Sequence, residues 1–227
     1  MNAIASLVPL AGLPLRFLAG LAVALAAGFA YLLAEPLISG PGAVVLKGSG
    51  VTLLALTALQ LPSAGARWLA AIMALGALGD VLLALPGLFI AGAASFAAGH
   101  AVAIAFYRQH QRPSGGWLVP AMLIAFGIVM PPLLVPAGPQ LAQALVYALL
   151  LTAMAASLWR SRFPRLAAIG SLAFIASDTL LVLRMGGGRL IDPATDGALV
   201  WISCFGGQWL ITLGVGRGLL ARAAREA

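Results

Sequence analysis

Apolar stretches dominate the chain and break at regular intervals. Residues 17–34 and 117–135 carry no charged side chain at all. Runs of about 18 or more apolar residues are long enough to cross the hydrocarbon of a bilayer as a helix. Read this way, the sequence predicts eight spans, at 15–34, 42–60, 66–85, 88–107, 117–135, 140–159, 165–184 and 197–218. The breaks between them (35–41, 61–65, Pro86-Gly87, 111–116, 136–139, 160–164 and 186–197) are short and rich in Pro and Gly, the residues that punctuate loops. Short connections make consecutive helices antiparallel neighbours. No internal repeat stands out.

Composition narrows the class. Apolar residues make up 62% of the 227 and charged ones 8%, where soluble domains carry roughly 25% charged. The expected fold is all-α, a polytopic transmembrane helical bundle forming one membrane domain over 1–227. At about 25–28 residues per span and loop, no soluble domain fits beside it. Met1 to Pro14 lack the basic start of a secretory signal, and no polar mature domain follows, so the first apolar segment is read as a span. Cys204 is the one cysteine, which rules out an internal disulfide and a Cys-based metal cluster.

A net charge of +7 invites a nucleic-acid reading, but the basic residues sit singly or in pairs at helix ends and form no stripe. They act instead as topology signals. With eight spans, Arg16, Arg67, Arg108, Arg112, Arg160, Arg162, Arg165, Arg217, Arg222 and Arg225 fall on one side, and Lys47, Arg184 and Arg189 on the other. Cytoplasmic loops carry such an excess, so both termini are expected in the cytoplasm. The expected location is a bacterial inner (plasma) membrane. Gly76, Gly79, Gly92, Gly99 and Gly206-Gly207 read first as packing residues that let helix backbones approach. A homodimer is left open.

The informative residues are those that cost energy in hydrocarbon. An Asp at a helix centre is disfavoured by about 2.5–3.5 kcal/mol on insertion scales. Such groups normally face the bundle interior and mark a path or site. Asp80 in span three and Asp178 in span seven are the two clear cases. Both lie roughly 8–10 Å below the outer boundary, counting 1.5 Å per residue. Lys47, Ser95 and Gln208 reach similar levels, His100 is deeper, Ser177 adjoins Asp178, and Tyr31 shares a face with Glu35. Residues 92, 95, 96, 99 and 100 lie on one side of span four, and 201, 204, 205, 208 and 212 on one side of span eight. If those sides face inward, the outer half of the bundle holds a polar pocket with apolar walls. Plainer roles exist for each: Asp80 pairing with Lys47 or Arg184, Asp178 serving Ser177 and Thr179, His100 making a structural hydrogen bond, Lys47 snorkelling to headgroups.

The stretch Gly79-Asp80-Val81-Leu82-Leu83-Ala84-Leu85-Pro86, followed by Phe89, Gly92, Phe96 and Gly99-His100, resembles the YhhN-type lysoplasmalogenase family. So does Gly170-Ser171-Leu172-Ala173-Phe174-Ile175-Ala176-Ser177-Asp178-Thr179-Leu180-Leu181. Lys47, Tyr147, Met154 and Gln208 also stand where that family's pattern puts them. Gly48, Ala103 and Phe205 depart from it, replacing a common proline and two common tyrosines. The resemblance covers roughly residues 15–220. It implies an ether-bond hydrolase that cleaves the vinyl ether of lysoplasmalogens to a fatty aldehyde and glycerophosphocholine or glycerophosphoethanolamine. It implies no metal and no organic cofactor. The expected partners are the lysophospholipid substrate and membrane lipids.

The chemistry suits the residues. Vinyl ether hydrolysis starts with protonation of the carbon β to oxygen, giving an oxocarbenium ion to which water adds. Paired carboxyls manage such a cation in glycosidases, one as acid and the other as base. Asp80 and Asp178 are the expected catalytic pair. Lys47, His100, Gln208, Ser177, Ser95 and Tyr31 are expected to contact substrate or water. The competing reading is a transporter or channel for a small polar solute or proton, with the same carboxylates along its path; a lipid-binding protein without turnover is a third.

Overall fold

The structure is a computed structural model and describes residues 13–113 and 116–226. Eight α-helices account for nearly all of them: α1 (Leu15–Ala34), α2 (Pro41–Ala58), α3 (Gly65–Leu83), α4 (Phe89–Arg108), α5 (Leu118–Leu134), α6 (Pro139–Arg160), α7 (Arg165–Met185) and α8 (Pro193–Glu226). The stretch before Leu13, which bears on the cleaved-signal question, and part of the 111–116 loop lie outside the described residues. Seven helices are long and apolar enough to cross a membrane. The eighth, α5, has 17 residues, with Pro131 and Pro132 inside its last turn, at the low end of spanning length.

Each predicted span has its helix, with ends shifted by a few residues. The exception is α8, which runs for 34 residues where 22 are predicted. It starts earlier because the Asp192 carboxylate accepts the Ala194 and Thr195 N–H groups at 3.1 and 3.0 Å, an N-cap with Pro193 in the first helical position. At 1.5 Å per residue it is about 50 Å long, well beyond the roughly 30 Å of hydrocarbon, so its Arg-bearing end emerges.

The helices form a ring in the order α1, α2, α3, α4, α6, α7, α8, and α8 closes it by packing against α1, α2 and α3. Helix α5 lies outside, packed on α6 and touching α7. Polarity is inverted relative to a soluble protein. Leu15, Leu33, Leu118 and Leu133 project outward at 72–82% exposure, while Asp80 and Asp178 are 3% and 4% exposed. This is the build of a multi-pass membrane protein.

With apolar solvent outside, helices are held by close backbone approach and by hydrogen bonds. Gly170 of α7 and Gly207 of α8 cross face to face, and a Cβ at either would sit 2.6 Å from the other's carbonyl oxygen. Ser177 donates to the Val200 carbonyl at 3.0 Å along the same seam. The Trp201 and Trp209 indoles of α8 each donate to an α1 carbonyl, of Gly28 and Leu21, at 2.9 Å. At the basic end the α4–α5 and α6–α7 loops are stitched by Arg112 N–H to Arg160 O and Arg162 N–H to His110 O.

Candidate active site

A cavity of about 730 Å³ opens at the end of the bundle where α1, α3 and α7 finish and α2, α4, α6 and α8 begin. All seven ring helices line it and α5 does not. Asp80 and Asp178 both face it, three residues before the end of α3 and seven before the end of α7. The walls are largely apolar, with Leu32, Leu83, Phe96 and Leu181 among them. Polar groups gather toward the rim: Glu35, Gln140, Gln143 and Arg184.

The two carboxyls have different neighbours. Asp178 Oδ2 accepts a 2.6 Å hydrogen bond from the Tyr147 hydroxyl of α6. Behind it, His100 Nε2 lies 3.4 Å from the Tyr147 oxygen. Asp80 shares the cavity with Lys47, the Gln208 amide donates to Cys204 Sγ at 3.6 Å, and among the described residues Asp80 Oδ2 is buried without a hydrogen-bond partner. Among the described residues the ion pairs are Arg184–Asp196 at 2.7 Å and Arg189–Asp196 at 3.4 Å. So Arg184 pairs with Asp196, not Asp80, and it ties the end of α7 to the start of α8. Nor do Ser177 and Thr179 turn to Asp178: their hydroxyls donate to the Val200 and Ile175 carbonyls.

Of the predicted site residues, Asp80, Asp178, Lys47, Tyr31 and Ser177 line the cavity. Tyr31 meets the Trp201 ring edge-on with centroids 4.5 Å apart. His100 and Gln208 sit one helical turn deeper and line a second, smaller cavity of about 30 Å³ with Gly76, Ala103 and Tyr107. Gly76 leaves room for the Gln208 amide, whose Oε1 would lie 2.5 Å from a Cβ there. Ser95 lines neither cavity; its hydroxyl donates to the Leu75 carbonyl at 2.7 Å and joins α4 to α3. Among the described residues no three His, Cys, Asp or Glu side chains cluster as metal ligands.

The family model of the YhhN family matches residues 42–215. The chain belongs to the YhhN family. The matched segment contains Lys47, Asp80, His100, Tyr147, Asp178 and Gln208, whereas Tyr31 and Glu35 come to the cavity from α1, outside it. No curated protein and no solved structure matches the chain. Two departures from the family pattern have a structural setting. Phe205 stacks on Trp201 at 5.4 Å and fills a slot between Gly28 and Gly50. Ala103 opens space beside His100.

Sequence reasoning placed Tyr147 in the family pattern but not at the site. The available signal was the i, i+3, i+7 spacing of Gln140, Gln143 and Tyr147 in span six. The Arg184–Asp196 pair was hidden because residue 196 read as loop.

Proposed function

We propose that this YhhN family member is a lysoplasmalogenase, a hydrolase of the vinyl ether bond of lysoplasmalogens, with Asp80 and Asp178 as its acid–base pair. One observation carries the reading. Two buried carboxyls from different helices face one cavity of about 730 Å³, within the range of small-molecule sites, with apolar walls and a polar rim.

In the proposed reaction one carboxyl protonates the vinyl carbon β to the ether oxygen. The other, as carboxylate, stabilises the oxocarbenium ion and takes a proton from the water that adds to it. The hemiacetal then collapses, returning a proton to the glycerol oxygen, to give the fatty aldehyde and the glycerophospho-headgroup. Low dielectric strengthens the carboxylate–cation attraction far beyond its value in water. Lys47, which lines the same cavity, is the cation offered to a lipid phosphate. Tyr31 and Ser177 shape the wall, and His100 and Gln208 support the pair from below.

Below the cavity the bundle fills with Leu69, Phe106 and Tyr107, all fully buried. A dead end fits an enzyme better than a transport path. We place the protein in a bacterial inner membrane as a single eight-span domain, both termini on the Arg-rich side.

The test is aldehyde release from lysoplasmalogen by purified protein in detergent. Asp80→Asn and Asp178→Asn, each shown to melt like the parent, are expected to lower turnover by about 10²–10⁴-fold. No aldehyde from the parent protein, or full turnover in either variant, refutes the reading.

A further inference from the structure

Asp178 is approached by a directed line of donors that the acid–base chemistry does not itself require. Tyr147 has one hydroxyl proton, and it lies on Asp178 Oδ2 at 2.6 Å, the short range of hydrogen bonds to a charged oxygen. With that proton committed, the phenol oxygen can only accept from His100 Nε2, 3.4 Å away. His100 is therefore the tautomer with its proton on Nε2. Its ring is held edge-on to Phe174 at 5.4 Å and to Tyr147 at 5.7 Å, and it is buried. The azimuth of Asp178 is fixed independently by Ser177, which bonds α7 to the Val200 carbonyl of α8.

We infer that Tyr147 and His100 form a positioning dyad: His100 orients the Tyr147 hydroxyl, and Tyr147 locks Asp178 through Oδ2 so that Oδ1 is the oxygen left for substrate and water. This rests on the catalytic reading of Asp178 given above. A carboxyl free to rotate in an apolar cavity presents its reactive oxygen only part of the time. Removing the constraint affects the chemical step, not the fit of the lipid. His100 acts through Tyr147 alone, so its contribution vanishes when the phenol oxygen is gone.

The experiment compares Tyr147→Phe, His100→Leu, His100→Gln and the double variant Tyr147→Phe/His100→Leu in detergent. Thermal melts identify folded protein. Tyr147→Phe is expected to lower kcat by about 10–100-fold, the worth of one hydrogen bond to a charged group, with KM within about twofold. His100→Leu lowers kcat less. His100→Gln restores much of it, because the Gln amide nitrogen reaches the place of Nε2. The double variant matches Tyr147→Phe. Unchanged kcat in Tyr147→Phe, or losses that multiply in the double variant, overturns the dyad. Infrared spectra supply a readout independent of activity. The carboxyl band removed by Asp178→Asn should shift in Tyr147→Phe and in His100→Leu, and return in His100→Gln. If the parent protein releases no aldehyde, the proposed function falls while the band still decides the dyad; a band that does not move overturns it.

Discussion

The seam between α7 and α8 gives the sharpest structural prediction, because two adjacent glycines there differ in kind. A Cβ at Gly207 would lie 2.6 Å from the Gly170 carbonyl oxygen and 3.1 Å from the Phe174 nitrogen. The first distance is about 0.8 Å inside comfortable contact for such atoms. The obstacle is backbone, so no rotamer change relieves it and the helices must part. A Cβ at Gly206 meets nothing within 4 Å. Overpacking of this kind costs about 1–3 kcal/mol, while Gly→Ala in an open helical position is neutral or gains up to about 1 kcal/mol. In a micelle the disrupted state keeps its helices, so the loss reports on packing. For a chain of this size each kcal/mol corresponds to about 2–4 °C in Tm. Gly207→Ala is therefore expected to lower Tm in detergent by about 2–12 °C, and Gly206→Ala to leave it unchanged or raise it. Equal melts for the two variants would refute the close crossing. Because the seam also positions Asp178 and Gln208, Gly207→Ala should lose turnover at temperatures well below its own Tm.

Three further outcomes are expected. Asp196→Asn removes a buried carboxylate shared by Arg184 and Arg189; both cations are partly exposed, so the loss is about 1–2 kcal/mol, larger in low-salt than in high-salt melts. Asp192 is held below the usual aspartate range by accepting the Thr195 and Ala194 N–H groups, so its stabilisation of the α8 start is present above the ordinary aspartate value and disappears as pH falls through the lowered one; amide-exchange protection at Ala194 and Thr195 should follow that course and be absent in Asp192→Ala. Reporter fusions after residues 163 and 189 should locate on opposite sides of the membrane, with both termini on the side of 163; any other pattern removes the eight-span assignment.

The spans were legible because apolar length is what a bilayer selects, and Pro and Gly mark where it ends. Counting residues put Asp80 and Asp178 at one depth, roughly 8–10 Å, whereas the ends of α3 at Leu83 and α7 at Met185 put them about 5 and 10 Å in. Which side of a helix turns inward was harder. In α6 the signal was spacing: Gln140, Gln143 and Tyr147 follow i, i+3, i+7 and all line the cavity, but the two glutamines sit at the helix start, where polar residues are ordinary. Ser95 and Ser177 illustrate a second limit. A hydroxyl in a span suggests a polar site, yet both donate to the carbonyl of a neighbouring helix, a partner that no side-chain pattern encodes. The α8 start was missed because its signal is local: Asp192 before Pro193 is an N-cap pair, outweighed in the reading by the glycines at 186–188 and 197.

The arrangement of the cavity bears on the class of substrate. Its rim carries Glu35, Gln140, Gln143 and Arg184; Leu32, Leu83 and Leu181 line the wall between that rim and the carboxyls, with Phe96 deeper. By residue count the carboxyls sit about 5–10 Å inside the ends of α3 and α7. An amphiphile held by its headgroup at the rim lays its apolar part along this wall and brings the bond joining glycerol to chain toward Asp80 and Asp178. In a lysoplasmalogen that bond is the vinyl ether. A small polar solute has no use for the apolar wall, and a fully apolar ligand none for the rim. The site therefore favours a substrate that is itself divided in polarity and whose reactive bond marks the division.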